Sequence, residues 1–330
     1  MRKLIVLLMA LVPMSLWAQF APGQNYPGTT AMHADSSAFV AWATGYEIVR
    51  GPMNITDPGS GMASFGQQDE SVVLGAPGGT MDVVSLGDGG MATLTFRSPI
   101  CNRQGPDFAV FENGLTNAGN QDLYFLEIGF VEVSSDGVNF FRFPAVTNVQ
   151  TETQLDGFAC MDPAQIHNFA GKYGVMYGTP FDLDEVPDDP LLDKNNITHV
   201  RIIDVVGNID PEFATYDSQG HPVNDPWPTP FASSGFDLDA VGVIHDLAHN
   251  PGFGVDENDT EILAVYPNPA HDKLFVNGYN VQTVGIFNVI GHNVLMTNET
   301  EIDVRGFEPG IYFVRINCGD SIITERVIIK

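Results

Sequence analysis

Short apolar runs alternate with glycine-rich breaks from Ser71 to Asp246, which is the pattern of β-strands joined by tight turns. The longest run, LYFLEIGFVEVSSDGVNFFRFP, has Asp136-Gly137 between two strand-like halves and predicts a β-hairpin. Its first half is apolar at most positions, so we expect an interior strand that is covered on both faces. Other predicted strands are SVVLGAP, MDVVSL, MATLTFR, DFAVFEN, ITHVRIIDVVG and FDLDAVGVIHD. The pattern predicts an all-β fold, with a jelly-roll-like antiparallel β-sandwich as the main body.

Two segments of the body predict short helices instead of strands. ADSSAFVAWATG, residues 34–45, places Phe39, Val40 and Ala43 on one helical face, with Ser36 or Ser37 as the N-cap. A second short helix is expected around Ala164 to Tyr173.

The pattern changes near residue 250. HNPGFGVDENDTEIL is rich in proline, glycine and acidic residues, and we interpret residues 251–262 as a linker. YPNP follows, and two prolines within three residues mark the edge of a sheet, not its interior. After it, KLFVNG, VQTVGIFNVIGHNVL, TEIDVRG, PGIYFVRIN and SIITERVIIK predict five to seven short strands. So many strands in a short segment predict a small Ig-like β-sandwich.

The N-terminus has the three-part plan of a secretory signal peptide. Arg2 and Lys3 precede an apolar run from Leu4 to about Met14, and small or neutral residues lead to Ala18. A buried N-terminal helix is the alternative, but the basic start favours export. The expected organisation is a signal peptide at 1–18, a β-sandwich body at 19–250, a linker at 251–262 and a C-terminal domain at 263–330. No later run is long and apolar enough for a transmembrane segment in the mature chain.

The net charge of −27 lies entirely between Gln19 and Leu263, which covers the body and the linker. Between Gln19 and Leu263 there are 34 of the 41 acidic residues but only 7 of the 14 basic ones. Such a field repels nucleic acids and anionic membrane surfaces and attracts cations, so nucleic acid is not an expected partner. Solubility alone is the plainer explanation of the charge.

The three cysteines leave two alternatives open. Cys101 and Cys160 lie in the same predicted domain, so they can form a disulfide in an oxidising compartment, or all three can be buried thiols. No CxxC spacing is present, so a thiolate zinc site is not indicated.

The C-terminal 68 or so residues resemble the C-terminal sorting domain of the bacterial type IX secretion system. The resemblance rests on YPNPAHDKLFV, VGIFNVIGHNVL, IDVRGFEPGIYFVRI and a final basic strand, ERVIIK, in that order. It implies passage through the periplasm and recognition of the tail by the type IX translocon and sorting machinery. The product is then expected to be secreted or held on the outer cell surface.

The body is similar to a widespread group of secreted and surface proteins that has no assigned activity. SLGDGGMATLTF, GPDFAVFENG, FVEVSSDGVNFFRFP and SGFDLDAVGVI carry this resemblance, over roughly His33 to Asp246. It implies a β-sandwich of the kind that carbohydrate-binding modules use. It provides no catalytic residues to transfer.

Common catalytic motifs are missing from the sequence. There is no HExxH, GxSxG or phosphate-binding Gly-Lys loop, so no catalytic residue is assigned. A carboxylate pair for hydrolysis has too many candidates in so acidic a chain to be informative.

Calcium is the one cofactor that the sequence favours, since it is bound by carboxylate and carbonyl oxygens. FDLDAV places Asp237 and Asp239 on one face of a strand, Glu112 lies at the end of DFAVFE, and RIIDVVGNID offers Asp204. We expect a structural calcium held by these four side chains. The alternative is that Asp237 and Asp239 are solvated or cap loops.

A ligand site is expected in the proline-rich loop NDPWPTPF. Trp227 can stack on a sugar ring, while Asn224 and Asp225 can hydrogen-bond sugar hydroxyls. A loop-anchoring Trp is the alternative. We therefore predict a secreted or cell-surface, non-catalytic binding module with an extracellular glycan as the expected partner. The alternatives are a secreted hydrolase with an unrecognised carboxylate site and a structural or adhesive surface protein.

Overall fold

The computed structural model describes residues 20–249, 264–277, 281–317 and 322–330. The predicted signal peptide, the linker and Cys318 lie outside these residues. The chain divides into two compact units, Met1–Pro251 and Gly252–Lys330, which we name the body unit and the tail unit. All the named strands pair in antiparallel fashion, and the only helices among the described residues are short 3-10 turns, which confirms the all-β prediction.

Sixteen strands lie in the described part of the body unit. They are β1 Met32–His33, β2 Ala41–Trp42, β3 Gly45–Val49, β4 Val84–Ser85, β5 Met91–Ile100, β6 Phe108–Glu112, β7 Leu115–Thr116, β8 Tyr124–Phe125, β9 Gly129–Ser134, β10 Phe141–Arg142, β11 Val146–Thr147, β12 Ile166–His167, β13 Phe169–Ala170, β14 Tyr177–Phe181, β15 Ile197–Asp204 and β16 Asp237–Val243. The 3-10 turns are Pro58–Ser60, Glu70–Val73, Pro163–Gln165 and Leu183–Glu185.

Two six-stranded sheets form most of the body unit, and β7-β8 and β11-β12 are two further two-stranded sheets. The first has the order β1-β14-β6-β16-β2, with β4 also paired to β16, and the second has the order β10-β9-β15-β5-β3, with β13 also paired to β9. Apolar side chains of both sheets, including Leu94, Phe108, Val200 and Leu238, belong to one buried cluster. The two sheets therefore form a sandwich with its main core between them.

The predicted hairpin at Asp136-Gly137 is confirmed, because β9 and β10 pair with Phe141 opposite Val133. Strand β9 is buried at every position, as its apolar pattern predicts. Its outer face is covered by a second cluster in which Phe130 packs beside Phe169 from β13.

Both predicted helices of the body are wrong. Residues 34–45 contain no helix; instead β2 pairs with β16, and Phe39 and Trp42 pack on Phe111. In the second segment only the turn Pro163–Gln165 is helical, after which Ile166 pairs with Thr147. In both places sheet pairing and burial outweigh the weak local helical preference. SVVLGAP is likewise a 3-10 turn at Glu70–Val73 and not a strand.

The tail unit contains seven described strands. They are β17 Ala264–Tyr266, β18 Lys273–Asn277, β19 Thr283–Asn288, β20 Asn293–Thr297, β21 Glu301–Asp303, β22 Gly310–Asn317 and β23 Ile322–Ile329. They form sheets of order β17-β18-β21 and β20-β19-β22-β23, whose facing apolar side chains form a separate core.

The YPNP motif of the tail unit is fastened to the last strand. The Asn268 side chain donates from Nδ2 to the Arg326 carbonyl over 2.8 Å, and its Oδ1 accepts from the Ile328 amide over 3.0 Å. The Lys330 amide donates to the Ala270 carbonyl over 2.9 Å. The first and last segments of the tail unit are thus held side by side.

Candidate functional site

A pocket of about 370 Å³ lies at one end of the body unit, where β6 ends and β16 begins. Three loops complete its wall, and they contribute Thr80, Phe158 and Phe231. The volume is within the range of small-molecule sites, which is roughly 300–1,000 Å³. We name it the aromatic pocket.

The rim of the aromatic pocket is apolar and open to solvent. Phe158 is 73% exposed, Leu115 50% and Phe231 48%. The Phe158 ring centroid lies 6.5 Å from that of Phe125 and 5.9 Å from that of Phe231. Contiguous exposed apolar side chains around a concave surface are typical of a binding site.

The floor of the pocket includes the carboxylate of Asp237. This side chain accepts hydrogen bonds from the Ser85 hydroxyl and, over 3.1 Å, from Nδ2 of Asn113. Both donors are neutral, and burial raises the pKa of Asp237 to about 6. Glu112 lies next to it across the β6–β16 pairing, and burial together with the charge of Asp237 holds the pKa of Glu112 well above its usual range.

Glu127 is the second carboxylate in the pocket wall, and it has no hydrogen-bond partner within the described ranges. It is only 5% exposed. Burial first, and then the charges of Asp237 and Glu112, raise the pKa of Glu127 well above its usual range. A buried carboxylate without a donor is costly, so this group has the strongest need of a proton or a bound cation.

A second group of acidic side chains lies behind Glu127. Asp88, Asp204 and Asp225 line the same small void as Glu127 and Trp227. Burial raises the pKa of all three, and the charges of Asp225 and Asp88 raise that of Asp204 further. Glu127 thus lies between two sets of buried carboxylates, because it lines both the aromatic pocket and the small void. Charges of both sets raise its pKa.

The four predicted calcium ligands are all buried, but they do not converge. Glu112 and Asp237 are neighbours, whereas Asp204 ends β15 in the other sheet and accepts from the amides of Gly89 and Phe236. Asp239 accepts from the amides of Gly78 and Gly79, so it caps a loop, as the alternative interpretation had it. No three His, Cys, Asp or Glu side chains in the described part of the chain are arranged to hold a metal ion. Calcium binding stays a prediction.

The predicted ligand-binding residues are placed differently from what the sequence suggested. Asn224 is fully buried, and its amide group bonds within the chain to Gln150, Thr153, Gln154 and Leu155. Asp225 is also buried and accepts from the Ile128 amide. These two side chains offer no exposed atoms to a ligand, and their predicted role stays untested.

Trp227 is half-buried, and its indole nitrogen donates to Oδ2 of Asp88 over 3.1 Å. The same oxygen accepts from the Ile55 amide over 2.8 Å. Trp227 contributes to the wall of the small acidic void and not to that of the aromatic pocket. This placement favours the loop-anchoring alternative.

A larger groove of about 530 Å³ is lined by residues of 147–152, by Asp162 and by His221. It contains no Phe, Tyr or Trp. It therefore lacks the combination of aromatic rings and buried carboxylates that distinguishes the aromatic pocket.

Glu127, Phe158 and Phe231 were not predicted from the sequence. A signal for Glu127 was present, because LYFLE places Phe125 and Glu127 two residues apart, as on one face of an extended segment. Phe158 and Phe231 lie in irregular loops, where no periodicity marks them.

Cys101 and Cys160 are not joined to each other by a disulfide. Within the described ranges no helix has the length and apolar character needed to cross a bilayer.

Comparison with known structures gives weak likenesses. A β-glucuronidase of Ruminococcus gnavus in complex with uronic isofagomine is 10% identical, with 94% of this chain and 45% of that chain covered, at a TM-score of 0.21. A β-glucuronidase of Faecalibacterium prausnitzii is 11% identical, with 92% and 47% covered, at a TM-score of 0.22. This chain thus spans less than half the length of those proteins, and likeness at this level carries no functional argument. No curated protein matches the chain.

The tail gives a clear family match. The model of the secretion system C-terminal sorting domain matches residues 264–330, which contain all seven strands of the tail unit. Export through the type IX system follows from this domain, and so does interaction with that system's machinery. Residues 264–330 are a type IX secretion C-terminal sorting domain, and the chain is a protein exported to the cell surface or secreted.

Proposed function

We propose that the body unit is a non-catalytic binding module of the cell exterior and that the aromatic pocket is its ligand site. The observation that carries the proposal is the rim of Leu115, Phe158 and Phe231, which is exposed to water around a concave polar floor. Flat aromatic rings can stack on the apolar face of a sugar, while Asn113 and Asp237 can hydrogen-bond its hydroxyls. An extracellular glycan is therefore the first ligand class to test.

The test is a glycan array probed with the full chain, followed by affinity measurements on Phe158→Ala. We expect this substitution to weaken binding of any captured glycan by about tenfold, a loss of roughly 1.4 kcal/mol. Val138→Ala is the matched control, because Val138 is 80% exposed and lies in the β9–β10 turn, outside the pocket. Equal binding by Phe158→Ala and the unmodified chain would show that the aromatic pocket is not the ligand site.

A hydrolase is the second candidate function, and one observation favours it. Glu127 and Asp237 line the same pocket, and the pKa of each is raised. A carboxyl that stays protonated near neutral pH can act as a general acid beside an ionised partner. Turnover of a polysaccharide or peptide pool that is lost in both Glu127→Gln and Asp237→Asn would establish this function in place of simple binding.

A further inference from the structure

Glu127 and five neighbouring carboxylates form a buried acidic group without any basic partner. Each is at most 6% exposed; they are Asp88, Glu112, Glu127, Asp204, Asp225 and Asp237. None of them forms an ion pair with a described Lys, Arg or His. Buried charge of one sign must be neutralised by protons or by a cation from outside the chain.

Glu127 is the member of this group that is open to a ligand. The other five accept hydrogen bonds from backbone amides or neutral side chains, for example Asp204 from Gly89 and Glu112 from Gly114. Glu127 accepts none within the described ranges, although it is 5% exposed, and it lines the aromatic pocket. Its oxygens are therefore available to a donor that enters the pocket, and a positively charged donor gains most there.

The other residues of the pocket favour an organic cation over a metal ion. Calcium takes about six to eight oxygen ligands, and the described residues offer no group of three carboxylates in metal-binding geometry. The rim instead consists of apolar carbon, with Phe125, Phe158 and Phe231 in ring contact. Aromatic rings attract a cation through their faces and bury its alkyl substituents.

We infer that the aromatic pocket takes a small organic cation whose ammonium group lies against Glu127 and Asp237 while its carbon substituents contact Phe158 and Phe231. The inference rests on the proposed binding function of the same pocket. It narrows the ligand to molecules that carry an amine or alkylammonium group, which can come from an amino sugar or from a compound that is not a sugar.

Two probe pairs test this charge preference by calorimetry on the full chain. The first is a glucosamine tetramer against its neutral N-acetylated form, and the second is choline against the analogue in which carbon replaces the nitrogen. We expect the charged member of at least one pair to bind at least about tenfold more tightly. The pair that shows the preference tells whether the source is an amino sugar or a simpler alkylammonium compound.

Glu127→Gln should abolish the preference for the charged member, and Phe158→Ala should weaken binding of that member. Glu47→Gln is the charge-matched control, since Glu47 is exposed on edge strand β3. If Glu127→Gln does not fold, Asp237→Asn provides the same test, because its amide can still bond both Ser85 and Asn113.

Three results would overturn the inference. If neutral probes or array glycans bind as tightly as charged ones and depend on Phe158, the pocket is a binding site without cation selection. If no probe or glycan depends on Phe158, the proposed function fails as well. If calcium alone raises the melting temperature, and Glu127→Gln removes that effect while amines do nothing, the carboxylates form a metal site.

Discussion

The rings of Phe158 and Phe231 lie 5.9 Å apart, centroid to centroid, although the two residues belong to different loops of the body unit. Each of them is about half exposed or more. Their contact gives the aromatic pocket a continuous apolar rim above the carboxylates of Glu127 and Asp237.

The exposure of Phe158 predicts that it contributes little to folding. Phe158→Ala should change the free energy of unfolding by less than about 0.5 kcal/mol. Phe236→Ala, by contrast, removes a fully buried ring of the main core and should cost about 3–5 kcal/mol. Denaturant unfolding of both variants checks this. A loss for Phe158→Ala as large as for Phe236→Ala would mean that the rim is a part of the core.

The raised pKa of Asp237 predicts that the body unit loses stability as pH rises. An unfolded Asp titrates near 3.9, whereas folded Asp237 titrates at about 6, faced by Glu112 and Glu127. Asp237 keeps its proton up to a higher pH in the folded state than in the unfolded state. Its contribution to the free energy of unfolding is therefore complete below about pH 4 and is lost by about pH 7.

Melting curves between pH 4 and 8 in the presence of a chelator measure this loss. Asp237→Asn should flatten the profile, since an amide does not ionise. Glu47→Gln should leave it unchanged, because Glu47 is exposed. A profile of Asp237→Asn that falls as steeply as that of the unmodified chain would contradict the prediction.

Trp227 is predicted to act as an anchor for its loop. Trp227→Phe keeps an aromatic ring but removes the hydrogen bond to Asp88, which should cost about 1–3 kcal/mol of stability. Affinity for a ligand of the aromatic pocket should stay the same. Trp42→Phe is the matched control, because Trp42 contacts Phe39 and Phe111 through its ring. If Trp227→Phe has unchanged stability but binds the ligand more weakly, Trp227 is a ligand-binding residue and not a loop anchor.

The sorting domain predicts where a truncated chain will accumulate. Deletion of residues 263–330 should leave the body unit folded but held in the periplasm, because the two units are separately compact. Cell fractionation with immunodetection measures the distribution. A reporter that carries a signal peptide and residues 251–330 should in turn reach the cell exterior. Normal external amounts of the truncated chain would show that export does not depend on the tail.

Much of the fold follows from local pattern. Strands β5, β6, β9, β15 and β16 were predicted because their apolar runs are long enough to outweigh local alternatives. The tail was predicted because its strands and glycine breaks follow one another at short intervals. The non-helical structure of residues 34–45 was not predicted, because it depends on contacts with β16 and Phe111, which are remote in sequence.

The candidate site was less accessible to sequence reasoning. Acidic residues are so abundant in the body that Glu127 is not distinctive until its burial and its lack of donors are known. Asn224 and Trp227 resemble ligand-binding residues in composition, yet Asn224 is used entirely in loop hydrogen bonds and Trp227 donates to Asp88. Which polar groups remain open is decided by tertiary contacts that no local pattern encodes.

The fastening of Asn268 and Ala270 to the last strand makes the position of the YPNP segment depend on backbone groups about 60 residues later in the sequence. Their partners are Arg326, Ile328 and Lys330, at the very end of the chain. A product that stops early, or loses its final residues to a protease, lacks the backbone groups that hold the YPNP motif. Removal of residues 326–330 is therefore expected to release the YPNP segment from the sheet as well as to shorten the last strand.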